Sequence, residues 1–133
     1  MAILTRLDLH QLQEMRRKKE RLEYEREILR ESALRVTQTI SDMPHASSWM
    51  DPMAEYAAKL DDLDRQIMDL TISIEKQILL IESIIQILPA NQANVIRCRY
   101  ENGYSWRRVA RELHYTKGHC KNLHTAALKK LGL

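Results

Sequence analysis

Phenylalanine is absent from these 133 residues, and glycine and proline occur only three times each. So few turn formers and helix breakers exclude the many short strands of a sandwich or barrel, as well as collagen-like and proline-rich repeats. The two cysteines, Cys98 and Cys120, have no C-x-x-C spacing and are too few for a disulfide framework. A reducing, cytoplasmic setting with two small buried thiols is expected. Long apolar runs are also missing: the run at Ile78 to Ile81 is too short to span a bilayer, and the opening M-A-I-L-T-R-L-D lacks a secretory core, so no membrane role is expected. Gly103, Gly118 and Gly132 form no phosphate-cradling loop, and no nucleophile with a paired base or clustered carboxylates appears. Neither an enzyme nor a cofactor is expected. Cys98, His114, His119, Cys120 and His124 could be joined into a zinc site, because Cys120 and His124 share a helix face at i, i+4, but Cys120 has a packing role in the pattern below.

What remains is rich in Leu, Ile, Glu, Lys and Arg, the composition of an all-α protein. Met53, Tyr56, Leu60, Leu63, Ile67, Leu70, Ile74, Gln77, Ile81, Ile84 and Leu88 recur at alternating intervals of three and four, a heptad seam with one polar member. An earlier helix, from about Thr5 to Ile40, carries a thinner seam of Leu12, Met15, Leu22, Leu29, Ala33, Val36 and Ile40. Between them S-D-M-P-H-A-S-S-W-M-D-P breaks the pattern, so residues 1–88 are expected to form a helical hairpin or coiled coil with a linker at about 41–51. Asp51 and Pro52 suit the start of the second helix, and Trp49 is expected to pin the linker. An antiparallel hairpin and a parallel dimer through the second helix both satisfy the seam; a homo-oligomer, with a dimer favoured, is expected. The run Arg16, Arg17, Lys18, Lys19, Glu20, Arg21 is expected to be solvated helix surface, neutralised by Glu14, Glu23, Glu25 and Glu27 nearby.

Charge separates the far end from this shaft. Asp51 to Leu88 balances to −5, whereas Pro89 to Leu133 holds nine Lys/Arg against Glu101 and Glu112, a balance of +7. A positive field of that density suits nucleic acid. Leu88-Pro89 should end the shaft, since the residue before proline is pushed out of the α region, leaving 89–133 as a second domain. Within it, W-R-R-V-A-R-E-L-H-Y-T-K-G-H-C-K-N-L-H-T at Trp106 to Thr125 has helix-turn-helix spacing. Ala110 is the small residue at the crossing, and Val109, Leu113, Tyr115, Cys120 and Leu123 form the seam. His114 sits at the reversal, where positive φ is favoured. Ser105 and Thr116 are the caps, and Trp106 should pack against the preceding helix, about Pro89 to Glu101. Removing the seam leaves Lys117, Gly118, His119, Lys121, Asn122 and Thr125 outward. Lys121 and Asn122 are the leading candidates for base edges, with Lys117, His119 and Thr125 beside them. Thr116, Arg107, Arg108 and the bare backbone at Gly118 are placed for phosphates.

The string L-P-x(5)-V-I-x-C-R-Y-x-N-G-Y-S-W-x-x-V-A-x-E-L-H-Y-T, followed by A-L-K-K-L, resembles region 4 of sigma-70-family factors. With the coiled coil and linker ahead of it, the whole chain resembles the ArpU-like regulators of Gram-positive phages and prophages. That resemblance implies a three- to four-helix DNA-binding domain, control of late-gene transcription and contact with RNA polymerase. The pattern departs from sigma factors at Gly118, where a long polar residue is usual, and at His119, Asn122 and His124. Two other classes of function share the layout: a DNA-recognition subunit of phage packaging, similar to small terminase subunits, and a module that docks on polymerase without gripping DNA.

Overall fold

A computed structural model describes residues 4–41 and 50–133, with side chains for all of these except 37, 39–41, 50 and 51. The order is α1 Arg6–Ser41, α2 Met50–Ile85, α3 Ala90–Ile96, a π turn Arg97–Glu101, α4 Trp106–Leu113 and α5 Lys117–Lys130. The fold is all-α, as the composition requires. Trp49, the rest of 42–49 and the side chain of Asp51 lie outside the described residues. Among the described residues, no helix is long and apolar enough to cross a membrane.

Packing divides the chain into Met1–Arg16 with Ser73–Leu133, and Arg17–Ile72. The first unit therefore runs across the boundary expected at Leu88-Pro89. Its core joins Leu9 and Leu12 of α1, Ile74, Ile81 and Ile85 of α2, Leu88, Ala93 and Ile96 of α3, and Ala127 and Leu128 of α5. Leu12, Ile81, Ile85 and Ile96 are fully buried, each contributing about 1.5–3 kcal/mol. Thr5 and Asp8 start α1 as a reciprocal capping pair: Thr5 N–H donates to Asp8 Oδ2 at 2.8 Å and Asp8 N–H to Thr5 Oγ1 at 3.2 Å. The polar seam member, Gln77, donates to the Asp8 carbonyl at 3.4 Å. α2 ends at Ile85, three residues before the expected stop, because Leu88 N–H closes a turn onto the Ile85 carbonyl at 3.0 Å. That turn tucks Leu88 into the core ahead of Pro89.

Arg16 is not solvated surface. It is half-buried, and its guanidinium donates to the Tyr100 carbonyl through Nε at 3.3 Å and Nη2 at 3.2 Å. Beside it Gly103 adopts φ +69°, and a Cβ there would lie 2.9 Å from Arg16 Cδ. The left-handed backbone favours glycine at this position, and any side chain there would have to displace Arg16.

The second unit pairs the remainder of α1 with the start of α2. Arg26 Nη1 meets Asp64 Oδ1 at 3.0 Å, and these residues lie at similar distances from the segment that joins the helices. The connection can reach roughly 30 Å, against roughly 54 Å for a helix of this length, so the helices run antiparallel. Leu22 and Ile67 are buried, with Leu29, Tyr56 and Leu63 half-buried. An open cleft of about 660 Å³ remains between the helices, lined by Leu22, Ile28, Leu29, Tyr56, Leu63 and Gln66 among others. Of the expected α2 seam, Ile67, Ile74, Ile81 and Leu88 are buried within one chain and the other members are half-buried.

Candidate nucleic-acid interface

The geometry of the C-terminal helices begins with their caps. Ser105 Oγ accepts from Arg108 N–H at 3.3 Å, and Thr116 Oγ1 from His119 N–H at 3.1 Å. Each satisfies one of the donors a helix start leaves unpaired. Between α4 and α5, His114 takes φ 59° and ψ 38°, the left-handed conformation that the reversal needs. Tyr115 N–H then reaches back to the Ala110 carbonyl at 3.0 Å. The α4–α5 crossing is filled by Val109, Ala110, Cys120 and Leu123, with Val95 of α3 beneath and Leu113 and Trp106 at its edge.

Tyr115 departs from the expected seam. It is 39% exposed, because the left-handed residue before it turns its side chain out of the crossing. Its ring instead meets His119 edge-on. His124 is half-buried, with Nε2 2.6 Å from Tyr100 Oη. Its ring stacks on Tyr100 and meets the edge of Trp106 at 5.0 Å. Burial, then the charges of Arg99 and Arg6, hold the His124 imidazole below the usual histidine range. Arg99 lies over Trp106 at 4.8 Å and donates to the Tyr104 carbonyl at 2.8 Å. This cluster fixes the angle between α5 and the π turn. Sequence spacing alone gave no sign of it, apart from Trp106 being placed for packing against the preceding helix.

Lys117, Gly118, His119, Lys121, Asn122 and Thr125 all lie on the exposed side of α5. A Cβ built on Gly118 would meet nothing within 4 Å. Thr125 Oγ1 donates to the Lys121 carbonyl at 3.0 Å, and Thr116 Oγ1 serves the cap while its residue remains exposed. Arg107 and Arg108 are exposed on α4. The Arg108 guanidinium lies 3.9 Å from the Tyr104 ring centroid and 3.9 Å from Glu112 Oε1, so it is already partly oriented. Arg97, by contrast, is paired with Glu82 at 2.7 and 3.1 Å. Both thiols are free, and burial raises each above its ordinary range. No cluster of three or more metal-ligating side chains occurs among the described residues.

Residues 84–132 match the family model Sigma-70, region 4. The C-terminal part of the chain thus carries a Sigma-70 region 4 domain of the helix-turn-helix type, a DNA-binding class. The match starts within α2 and takes in Ile85 and Leu88, which are buried in the first unit's core. No curated protein and no solved structure matches the chain.

Proposed function

We propose that this protein is a sequence-specific regulator of transcription that lays α5 in the major groove of duplex DNA. The observation that carries this reading is the exposed face of α5 within a segment of +7 charge that matches the Sigma-70 region 4 model. Lys121 and Asn122 take base edges, Lys to guanine acceptors and Asn bidentately to adenine. Lys117, His119 and Thr125 flank them. Thr116, Arg107, Arg108 and the backbone at Gly118 hold phosphates, which set register rather than sequence. If about four to six phosphates are neutralised, the logarithm of affinity falls against the logarithm of salt with a slope of roughly −4 to −5. Lys121→Ala and Asn122→Ala should each cost about 1–3 kcal/mol on the preferred site. A flat salt response removes the electrostatic part of the reading, and equal losses on every DNA sequence demote both residues to backbone contacts.

The same reading includes control of phage or prophage late genes and contact with RNA polymerase, which rest on the ArpU-like resemblance. In vitro transcription over the protein's own genomic neighbourhood tests both. A homodimer is also part of it, supported by exposed Tyr24, Ile28, Met68 and Ile72 on the Arg17–Ile72 hairpin. Sedimentation equilibrium tests assembly: a monomer at tens of micromolar removes the dimer, and a ring of many subunits favours DNA packaging instead.

A further inference from the structure

An aromatic ring at the turn of a helix-turn-helix usually gains its stability by burial, yet Tyr115 keeps 39% of its surface exposed. Its best-defined ring contact is with His119: the centroids are 4.8 Å apart and the planes stand at 88°. This edge-to-face arrangement is the favoured geometry of an aromatic pair. His119 is also held from the backbone side, its N–H bonded to Thr116 Oγ1 at 3.1 Å. His119 and Asn122, three residues apart on α5, lie along one stripe of the helix, and both are exposed, as is Tyr115, which precedes the Thr116 cap. Gly118 adds no side chain beside that stripe, and the space its Cβ would enter is open. The imidazole therefore faces solvent with the Tyr115 ring against it and nothing from Gly118 screening it.

Reading a base edge needs a donor or acceptor whose direction is fixed, because hydrogen bonds weaken steeply as they bend. A neutral imidazole offers one donor and one acceptor, and guanine presents N7 and O6 as acceptors in the major groove. On an unsupported helix surface the ring would spread over several rotamers. We propose that Tyr115 is a specificity-determining positioning residue, whose ring aims the His119 imidazole at a guanine edge beside the base pair met by Asn122. The proposal rests on the DNA-binding reading above and assigns Tyr115 no base contact of its own.

The test uses the full chain. A preferred duplex is selected from a randomised pool, and base preference at each position is then compared for wild type, Tyr115→Ala, Tyr115→Phe, His119→Ala and the Tyr115→Ala/His119→Ala double variant. Tyr115→Ala should lower discrimination at one base pair by about two- to tenfold, the range of an aromatic pair. His119→Ala should act at the same base pair, the double variant should lose no more than His119→Ala alone, and Tyr115→Phe should keep the wild-type preference. A uniform loss on all sequences, an unchanged preference, or effects at different base pairs would overturn the assignment. Should Tyr115→Ala fail to fold in a melting experiment, Tyr115→Leu keeps bulk without the ring and takes its place. Proton resonances of the His119 ring in the free protein give a readout independent of DNA: they should move when the Tyr115 ring is removed, and unmoved resonances overturn the contact. A wild-type chain with no salt-sensitive duplex affinity overturns the DNA-binding reading itself, and the role of Tyr115 with it.

Discussion

Replacing Glu101 by Gln should remove a pH dependence of stability that the wild-type chain carries between about pH 4.5 and 7. The cause lies where α2 meets the π turn. Glu82 accepts from Arg97 Nε at 2.7 Å and Nη2 at 3.1 Å, and that pairing holds its carboxyl below the usual range. Glu101 closes the π turn, and its carboxyl interacts electrostatically with the same Glu82. Its Oε1 is buried with no hydrogen-bond partner among the described residues. Burial first, then the interaction with Glu82 and its charge, push the Glu101 carboxyl up from 4.5 to about 7, against the pull of Arg97 and Arg16.

The native state therefore keeps a proton that the unfolded chain releases as pH rises. This contribution is complete below about pH 4.5, declines as pH rises to about 7, and is constant above that. Glu101 is only partly shielded from water, so screening reduces the full linkage value to about 1–2 kcal/mol. Gln retains an N–H for Glu82 and cannot ionise. Urea denaturation followed by circular dichroism at pH 5, 6, 7 and 8 should give nearly equal stabilities at pH 5. At pH 8 Glu101→Gln should be the more stable by about 1–2 kcal/mol. Parallel curves for the two proteins across this range would refute the raised-carboxyl account.

Ala110→Leu should overpack the α4–α5 crossing and cost about 1–3 kcal/mol, whereas Arg111→Leu at the exposed neighbour should stay within about 0.5 kcal/mol. Equal melting shifts would misplace the crossing. His124 should act opposite to Glu101: its folded-state pKa is lowered by burial, so stability is complete above about pH 6.5 and is lost as pH falls below it. His124→Gln should flatten that acid limb, and an unchanged limb in denaturation curves between pH 5 and 7 would remove the buried-imidazole account. A fragment of residues 89–133 lacks Leu9, Leu12, Ile81, Ile85 and Leu88, all buried in the first unit's core, and at about 1.5–3 kcal/mol each that loss exceeds what a small domain has in reserve. It should show little helical signal by circular dichroism, and a cooperative melt would return the boundary to Pro89.

Local physics explains which parts were legible in the sequence. Caps at Ser105 and Thr116, the left-handed His114 and the alanine at the crossing all depend on residues within four or five positions of one another. Their spacing therefore carries the geometry. The heptad seam is similarly local, and its buried members Ile67, Ile74 and Ile81 fall where the pattern put them. The pattern is indifferent to the partner, which is why both a hairpin and a dimer satisfied it. Tyr115 was misplaced for a related reason: an aromatic at a seam position reads as buried, while the backbone rotation at His114 decides where it points.

The features that spacing could not reveal are made by residues far apart in the chain. Arg16 lies in a basic run with carboxylates at helical distance, and sequence proximity alone makes those its natural partners. Its choice is decided instead by the other end of the bond. Tyr100 lies near the end of the π turn, whose widened register leaves its carbonyl without a following helical N–H among the bonds described there. A half-buried carbonyl in that position needs a donor, and Gly103 clears the volume through which the Arg16 side chain reaches it. The glycine that ends the helix and the arginine that caps it are thus one device, separated by most of the sequence. Arg16→Lys would keep the charge but lose the paired Nε and Nη2 donors, which makes the geometry of the guanidinium, rather than its charge, the feature on which this junction depends.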